Sequence, residues 1–121
     1  MTRRRRRKQA DRNDRGAVTV EAAIGLAALF LALGLLLYGL AAAADQVRCV
    51  DAAREAARLI ARGDEDQARE AVARIAPAGA EIDVDLDGER IHVSVHASPP
   101  GGLLPGVGLH AEAFAVREPG G

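Results

Sequence analysis

Three histidines and a run of carboxylates are the side chains of this 121-residue sequence whose types and spacing raise a question of chemistry. His92 and His96 lie four apart in an alternating segment, His110 and Glu112 follow in another, and Asp83, Asp85 and Asp87 alternate just upstream. On a strand, four residues span about 13 Å at ~3.3 Å each. The ~2 Å metal–nitrogen bonds of one ion cannot bridge that distance, so His92 and His96 do not chelate together. His92 with His110 and Glu112 across neighbouring strands is geometrically possible, yet a solvated polar face accounts for all three, and no metal or cofactor is expected. The Asp-x-Asp-x-Asp-Gly run ending at Gly88 matches half of a calcium loop, but Ser94 stands where the last ligand position needs a Glu.

Nucleophilic chemistry has equally little to work with. The serines are Ser94 and Ser98, outside any Gly-x-Ser-x-Gly elbow, and the glycines form neither a phosphate cradle nor a dinucleotide fingerprint. No catalytic residues are therefore assigned, and enzymatic activity is not expected. Cys49 is the lone cysteine, so no disulfide closes within the chain. Its ordinary role is that of a small packing residue, with a bridge between subunits as the alternative.

The elements that carry these residues start from a polarised chain. Residues 1–16 hold eight Arg/Lys against Asp11 and Asp14, a balance of +6, and the other eight basic residues face fifteen acids, a balance of −7. Ala22 to Ala44 is free of charge, and as a helix it covers about 34 Å, enough for the ~30 Å hydrocarbon layer of a bilayer. The flanking charges orient this span with its N-terminus in the cytoplasm and residues 45–121 outside. The Arg-rich tail lacks interleaved aromatics and a recognition module, so it reads as a topology determinant and anionic-lipid contact, with no nucleic-acid partner expected.

Beyond the span, Val47, Val50, Ala53, Ala57 and Ile60 recur at spacings of three and four, predicting an amphipathic stem that continues the membrane helix. Gly63 fits its stop. Asp64 with Gln67 predicts a capping box opening a second helix, with Ala68, Val72 and Ile75 on one face, Glu65–Arg69 and Glu70–Arg74 as surface pairs, and Pro77 as the end. The period then becomes two. Ile82, Val84 and Leu86 alternate with acids, Asp87-Gly88 marks a hairpin, and Ile91, Val93, Val95 and Ala97 follow. After the Pro/Gly-rich loop 98–108, Leu109–Glu118 forms a third strand, on which Ala111, Ala113 and Ala115 compete with Phe114 and Val116 for the buried face. The expected fold is α+β: a long membrane-spanning helix with a stem, a short second helix and a small three-stranded antiparallel sheet. Its expected segments are a leader 1–16, a span 17–44, a stem and second helix 45–76, a sheet 80–118 and a disordered tail 119–121.

Two features of the span bear on assembly. Gly25, Ala32 and Gly39 repeat every seven residues and Ala43 extends the stripe, so one side is small enough for another helix to approach. Glu21 stands at the lip of the apolar run, five residues after Gly16. An acid at that depth by default signals function or a partner. Cleavage between Gly16 and Ala17 would remove the basic leader and leave Glu21 about 6 Å up the helix from a new ammonium. A neighbouring subunit's ammonium would then neutralise it inside a helix bundle.

A basic leader, Gly16, four residues, Glu21 and an uncharged span resemble the processing signal of type IV prepilins and pseudopilins, which a membrane aspartyl peptidase cuts on the cytoplasmic face. More closely, residues 15 to about 117, from "RGAVTVEAAIGLAALFLALGLLL" through "VDAAREAARLIARG", are similar to TadE-like minor pilins of the tight-adherence (Flp, type IVc) pilus system. The resemblance implies a pilin-like fold, with Gly16 as the cleavage residue, Ala17 as the mature N-terminus and Glu21 as the assembly acid. It also implies the prepilin peptidase and other pilin-like subunits, TadE/TadF-like or Flp-like, as partners in the cell membrane, and incorporation in a surface pilus as the outcome. Ala22 departs from the aromatic that commonly follows the acid in Flp-type pilins, and the chain is longer than a major pilin; both favour a minor role. Two other readings remain at this stage: a soluble binding domain released after Ala44, where Ala42-Ala43-Ala44 meets a small-x-small cleavage rule, and an uncleaved single-pass anchor.

Overall fold

The structure, a computed structural model, describes residues 2–119. Of the expected tail 119–121, all but Pro119 lies outside the described residues. The elements in chain order are α1 (Thr2–Ala61), α2 (Glu65–Ile75), β1 (Glu81–Asp87), β2 (Arg90–Ala97) and β3 (Leu109–Val116). The three strands form one antiparallel sheet in the order β1-β2-β3. This is the α+β architecture that the change of period predicts. The chain divides into two compact units, Met1–Leu37 and Tyr38–Gly121.

In the first unit, every side chain from Arg7 to Leu37 is exposed, including Leu26, Leu29, Phe30, Leu33 and Leu36. A helix with large apolar residues on all faces and no partner inside the chain is built for an apolar surrounding. Among the described residues, α1 is the one helix long and apolar enough to cross a membrane.

The second unit has a core made mostly of alanine. Cys49, Ala52, Ala53, Ala56, Ala57, Ile60 and Ala61 of α1 share one apolar cluster with Ala68 and Val72 of α2, with Ile91, Val93, Val95 and Ala97 of β2, and with Ala111 and Ala113 of β3. The expected stem face needs one correction: Val47 is exposed and Val50 only half-buried, while Cys49, Ala52 and Ala56 are buried. In a helix this rich in alanine, several phases of the three-and-four spacing fit the sequence equally well. The sheet's complement selects among them.

α1 ends at a Schellman motif. The Gly63 amide donates to the Ile60 carbonyl (2.9 Å) and the Asp64 amide to the Leu59 carbonyl (3.0 Å), with Gly63 at a φ of 87° that a side chain would strain. The Ala61 carbonyl accepts from the Glu118 amide at 3.2 Å, which pins the end of β3 to the end of α1. Asp64 is the N-cap of α2 but makes no side-chain capping bond, so the predicted capping box with Gln67 does not form. Nor do Glu65–Arg69 and Glu70–Arg74 close to ion-pair distance; the ion pairs of α1 between described residues are Asp11–Arg15, Asp45–Arg48 and Glu55–Arg58. On α2, Ala68, Ala71 and Val72 are buried and Ile75 is half-buried. Pro77 follows, unable to donate to a further helical turn.

Asp87 pairs with Arg90, so the hairpin turn is Gly88-Glu89. Only Gly88 has a positive φ (61°), as a type II′ turn requires at its first central position. On β3 the small residues face inward: Ala111 and Ala113 are buried, whereas Phe114 is 74% exposed and Val116 is exposed as well. The competition left open by the sequence is thus settled against residue size.

Candidate functional site

The residues singled out for processing and assembly lie on the exposed part of α1. Gly16, Ala17 and Glu21 all face out of the chain. A Cβ at Gly16 would meet nothing within 4 Å, and its backbone is helical. A glycine inside an exposed helix costs roughly 1 kcal/mol relative to alanine, and at Gly16 no contact within the chain requires it. The same open space surrounds Gly25, Gly34 and Gly39. Ala32 and Ala43 are exposed as well, so the small-residue stripe is free along its length. Around the Gly16–Ala17 bond, the Thr19 hydroxyl donates to the Arg15 carbonyl (2.9 Å) and Arg15 lies 3.9 Å from Asp11.

A second candidate lies on the outer face of the sheet, where the register sets mostly polar residues in rows across the three strands. Glu81, His96 and His110 form one row; Asp83, Ser94 and Glu112 the next; Asp85, His92 and Phe114 the third; Asp87, Arg90 and Val116 the last. His96 Nδ1 and His110 Nδ1 are 3.1 Å apart, and the Nε2 of His110 lies 2.8 Å from Glu112 Oε1. His92 stacks on Phe114, with centroids 4.6 Å apart and planes 11° from parallel. Its Nε2 is buried without a hydrogen-bond partner, 3.6 Å from Glu112 Oε2. The hydrogen bond from His110, with His92 nearby, holds the Glu112 carboxyl below the usual range.

The cross-strand grouping of His92, His110 and Glu112 is therefore present in part, since both rings approach the one carboxylate. The sequence reading missed the closer pair, His96 with His110. No spacing rule spans the loop 98–108, so the pair follows only from the β2–β3 register. The backbone below is fixed as well, because the Gln46 side-chain amide donates to the His110 carbonyl at 2.7 Å. A cleft of about 300 Å³ opens at this end of the sheet, lined by Gly79, Glu81, His96, Ser98, Gly108 and His110 among others. Among the described residues, no three His, Cys, Asp or Glu side chains already converge as a metal-holding group.

Cys49 lies fully buried in the core, where burial and the neighbouring Asp45 push its thiol pKa up. An uncharged, enclosed thiol is a poor nucleophile. It packs as a small apolar residue.

No protein-family model matches the chain, and no solved structure does. A protein of Mycobacterium tuberculosis (strain ATCC 25618 / H37Rv) named "Apoptosis inhibitor Rv3655c" is 48% identical to it over 101 residues, which are 84% of this chain and 79% of that one. With similarity of that depth along most of both lengths, the chain belongs to the same family as the mycobacterial protein.

Proposed function

We propose that this chain is a TadE-like minor pilin or pseudopilin: a single-pass membrane prepilin, cut between Gly16 and Ala17 by a prepilin peptidase, whose helix then packs with other pilin-like helices. The observation that carries the reading is the combination on α1 of Gly16, which no contact in the chain requires, with Glu21 exposed at the start of a fully exposed apolar helix. A helix with no partner of its own along Leu26–Leu37, and a free stripe at Gly25, Ala32, Gly39 and Ala43, suits lateral packing in lipid and then in a fibre. In this role the leader stays cytoplasmic, the unit built on the sheet is extracytoplasmic, and the chain performs no catalysis. Removing the leader places the Ala17 ammonium where a neighbour's Glu21 can use it, and pairing two otherwise costly charges favours a fixed stagger between subunits.

The test is processing and co-assembly in native cells. Gly16→Ala should block or slow conversion to the shorter form on immunoblots. Glu21→Ala should leave insertion intact while reducing recovery of the chain in sheared surface fibres or in cross-linked complexes with other pilin-like proteins. Normal maturation of Gly16→Ala would remove the prepilin reading, and unchanged co-assembly of Glu21→Ala would remove the acid from the mechanism.

The mycobacterial relative is named an apoptosis inhibitor, a name that does not speak of pili, and a second reading is that this chain is an exported soluble binding domain. Cleavage after Ala44 would release such a domain, and every buried residue of α1 from Cys49 to Ala61 would remain with it. Recovery of a chain beginning at Asp45 would select this reading over the first.

A further inference from the structure

We infer that His96, His110 and Glu81 form a binding site for one divalent transition-metal ion of the zinc class. Two nitrogens bound to the same tetrahedral ion at ~2.0–2.1 Å lie about 3.3 Å apart. The Nδ1 atoms of His96 and His110 are 3.1 Å apart already. The two rings project from directly opposed positions on β2 and β3, so the backbone holds the pair together whether or not an ion is bound.

Glu112 makes His110 a ligand. An ionised carboxylate only accepts hydrogen bonds, so the 2.8 Å contact places the ring proton of His110 on Nε2 and leaves a bare lone pair on Nδ1, facing His96. A carboxylate on the far nitrogen, fixing tautomer and ring orientation, is the usual companion of a metal-bound histidine. Without a metal, a proton on His96 Nδ1 can bridge to the bare His110 Nδ1; with a metal, that proton moves to His96 Nε2 by way of solvent, His96 stays neutral, and both Nδ1 lone pairs bind the ion. The rings, with centroids 4.4 Å apart and planes 33° from parallel, swing slightly outward to aim both lone pairs at it.

Glu81 supplies the third donor. It is the cross-strand partner of His96 on β1 and lines the same cleft of about 300 Å³. Directly opposed Cβ atoms are ~4.5–5.5 Å apart, within reach of a rotating Glu side chain. Two imidazoles and one carboxylate suit zinc and leave a fourth position open to water or to a donor from another protein. The strand spacing that separates His92 from His96 does not apply, because this site is built across strands. The ion would tie β1, β2 and β3 together at the end of the sheet beside the loop 98–108.

The untagged full-length chain in detergent micelles is titrated with zinc chloride by calorimetry, and with cobalt(II), whose visible spectrum reports a tetrahedral nitrogen/oxygen site. One zinc per chain with micromolar or tighter affinity is expected. His96→Ala or His110→Ala should weaken it by more than about tenfold, Glu81→Gln should remove the tetrahedral cobalt spectrum, and Glu112→Gln should weaken zinc about tenfold. His92→Ala should leave zinc binding unchanged. His96→Gln and His110→Gln serve as second variants if circular dichroism shows that either alanine variant has lost its fold. Absence of saturable binding to the wild-type chain, unchanged affinity in both folded His96 and His110 variants, or loss in His92→Ala equal to that in His96→Ala would overturn the assignment. None of these readouts depends on whether the leader is cleaved.

Discussion

The two units of the chain treat apolar residues in opposite ways. In Met1–Leu37 the large ones, Leu26, Leu29, Phe30, Leu33, Leu36 and Leu37, are all exposed. In Tyr38–Gly121 the buried set is dominated by alanine, with Ile60, Ile91, Val93 and Val95 as its largest fully buried members besides Cys49. Leaving a leucine in water instead of burying it forfeits roughly 1.5–3 kcal/mol. A stretch that exposes so many is stable only where the surrounding medium is itself apolar. Size, not hydrophobicity alone, thus separates a helix that meets lipid from one that meets a sheet.

Placing an unpaired charge in each region in turn gives the largest effects. Val93→Asp puts a carboxylate at a fully buried position, a cost of about 3–5 kcal/mol for a core with few large residues. The unit Tyr38–Gly121 should lose its cooperative thermal transition by circular dichroism, while the chain still fractionates with membranes. Leu33→Asp should do the converse: at roughly 2.5–3.5 kcal/mol against insertion, it should shift the chain out of the membrane fraction and leave the sheet unit's transition where it was. If Leu33→Asp unfolded that unit as well, the two regions would not be separable in the way proposed.

The smallest effect concerns the surface of the second unit. Arg58 donates to both carboxylate oxygens of Glu55, at 2.7 and 3.1 Å, and these bonds hold the Glu55 carboxyl below its usual value. A carboxyl lowered in the folded state stabilises it fully above the unfolded pKa of about 4.3, and the stabilisation fades as pH falls through the lowered value. Glu55→Gln should therefore reduce Tm slightly at pH 7, with the difference from wild type shrinking to nothing in acid. The pair is exposed and salt-screened, so the neutral-pH difference should also narrow at high ionic strength.

What the sequence disclosed follows from which interactions are local. The uncharged run Ala22–Ala44, the stop at Gly63, the turn after Asp87 and the period-two strands each depend on neighbours within a few residues, and each is found in the structure. The buried phase of the stem was misjudged at Val47 because alanines satisfy every phase. The inner face of β3 was undecidable because small residues are buried there while Phe114 stacks outside on His92. The His96–His110 pair was invisible because a register across an 11-residue loop is set by tertiary packing. Gly16 and Glu21, for which processing and assembly roles are proposed, are the reverse case: they stand out in sequence because no contact within the chain accounts for them.

The most direct test of the central claim is the intact mass of the chain recovered from the membranes and surface material of its native cells. The expected mass begins at Ala17, with the whole basic leader gone. A mass beginning at Asp45, or one that retains the leader, would contradict it.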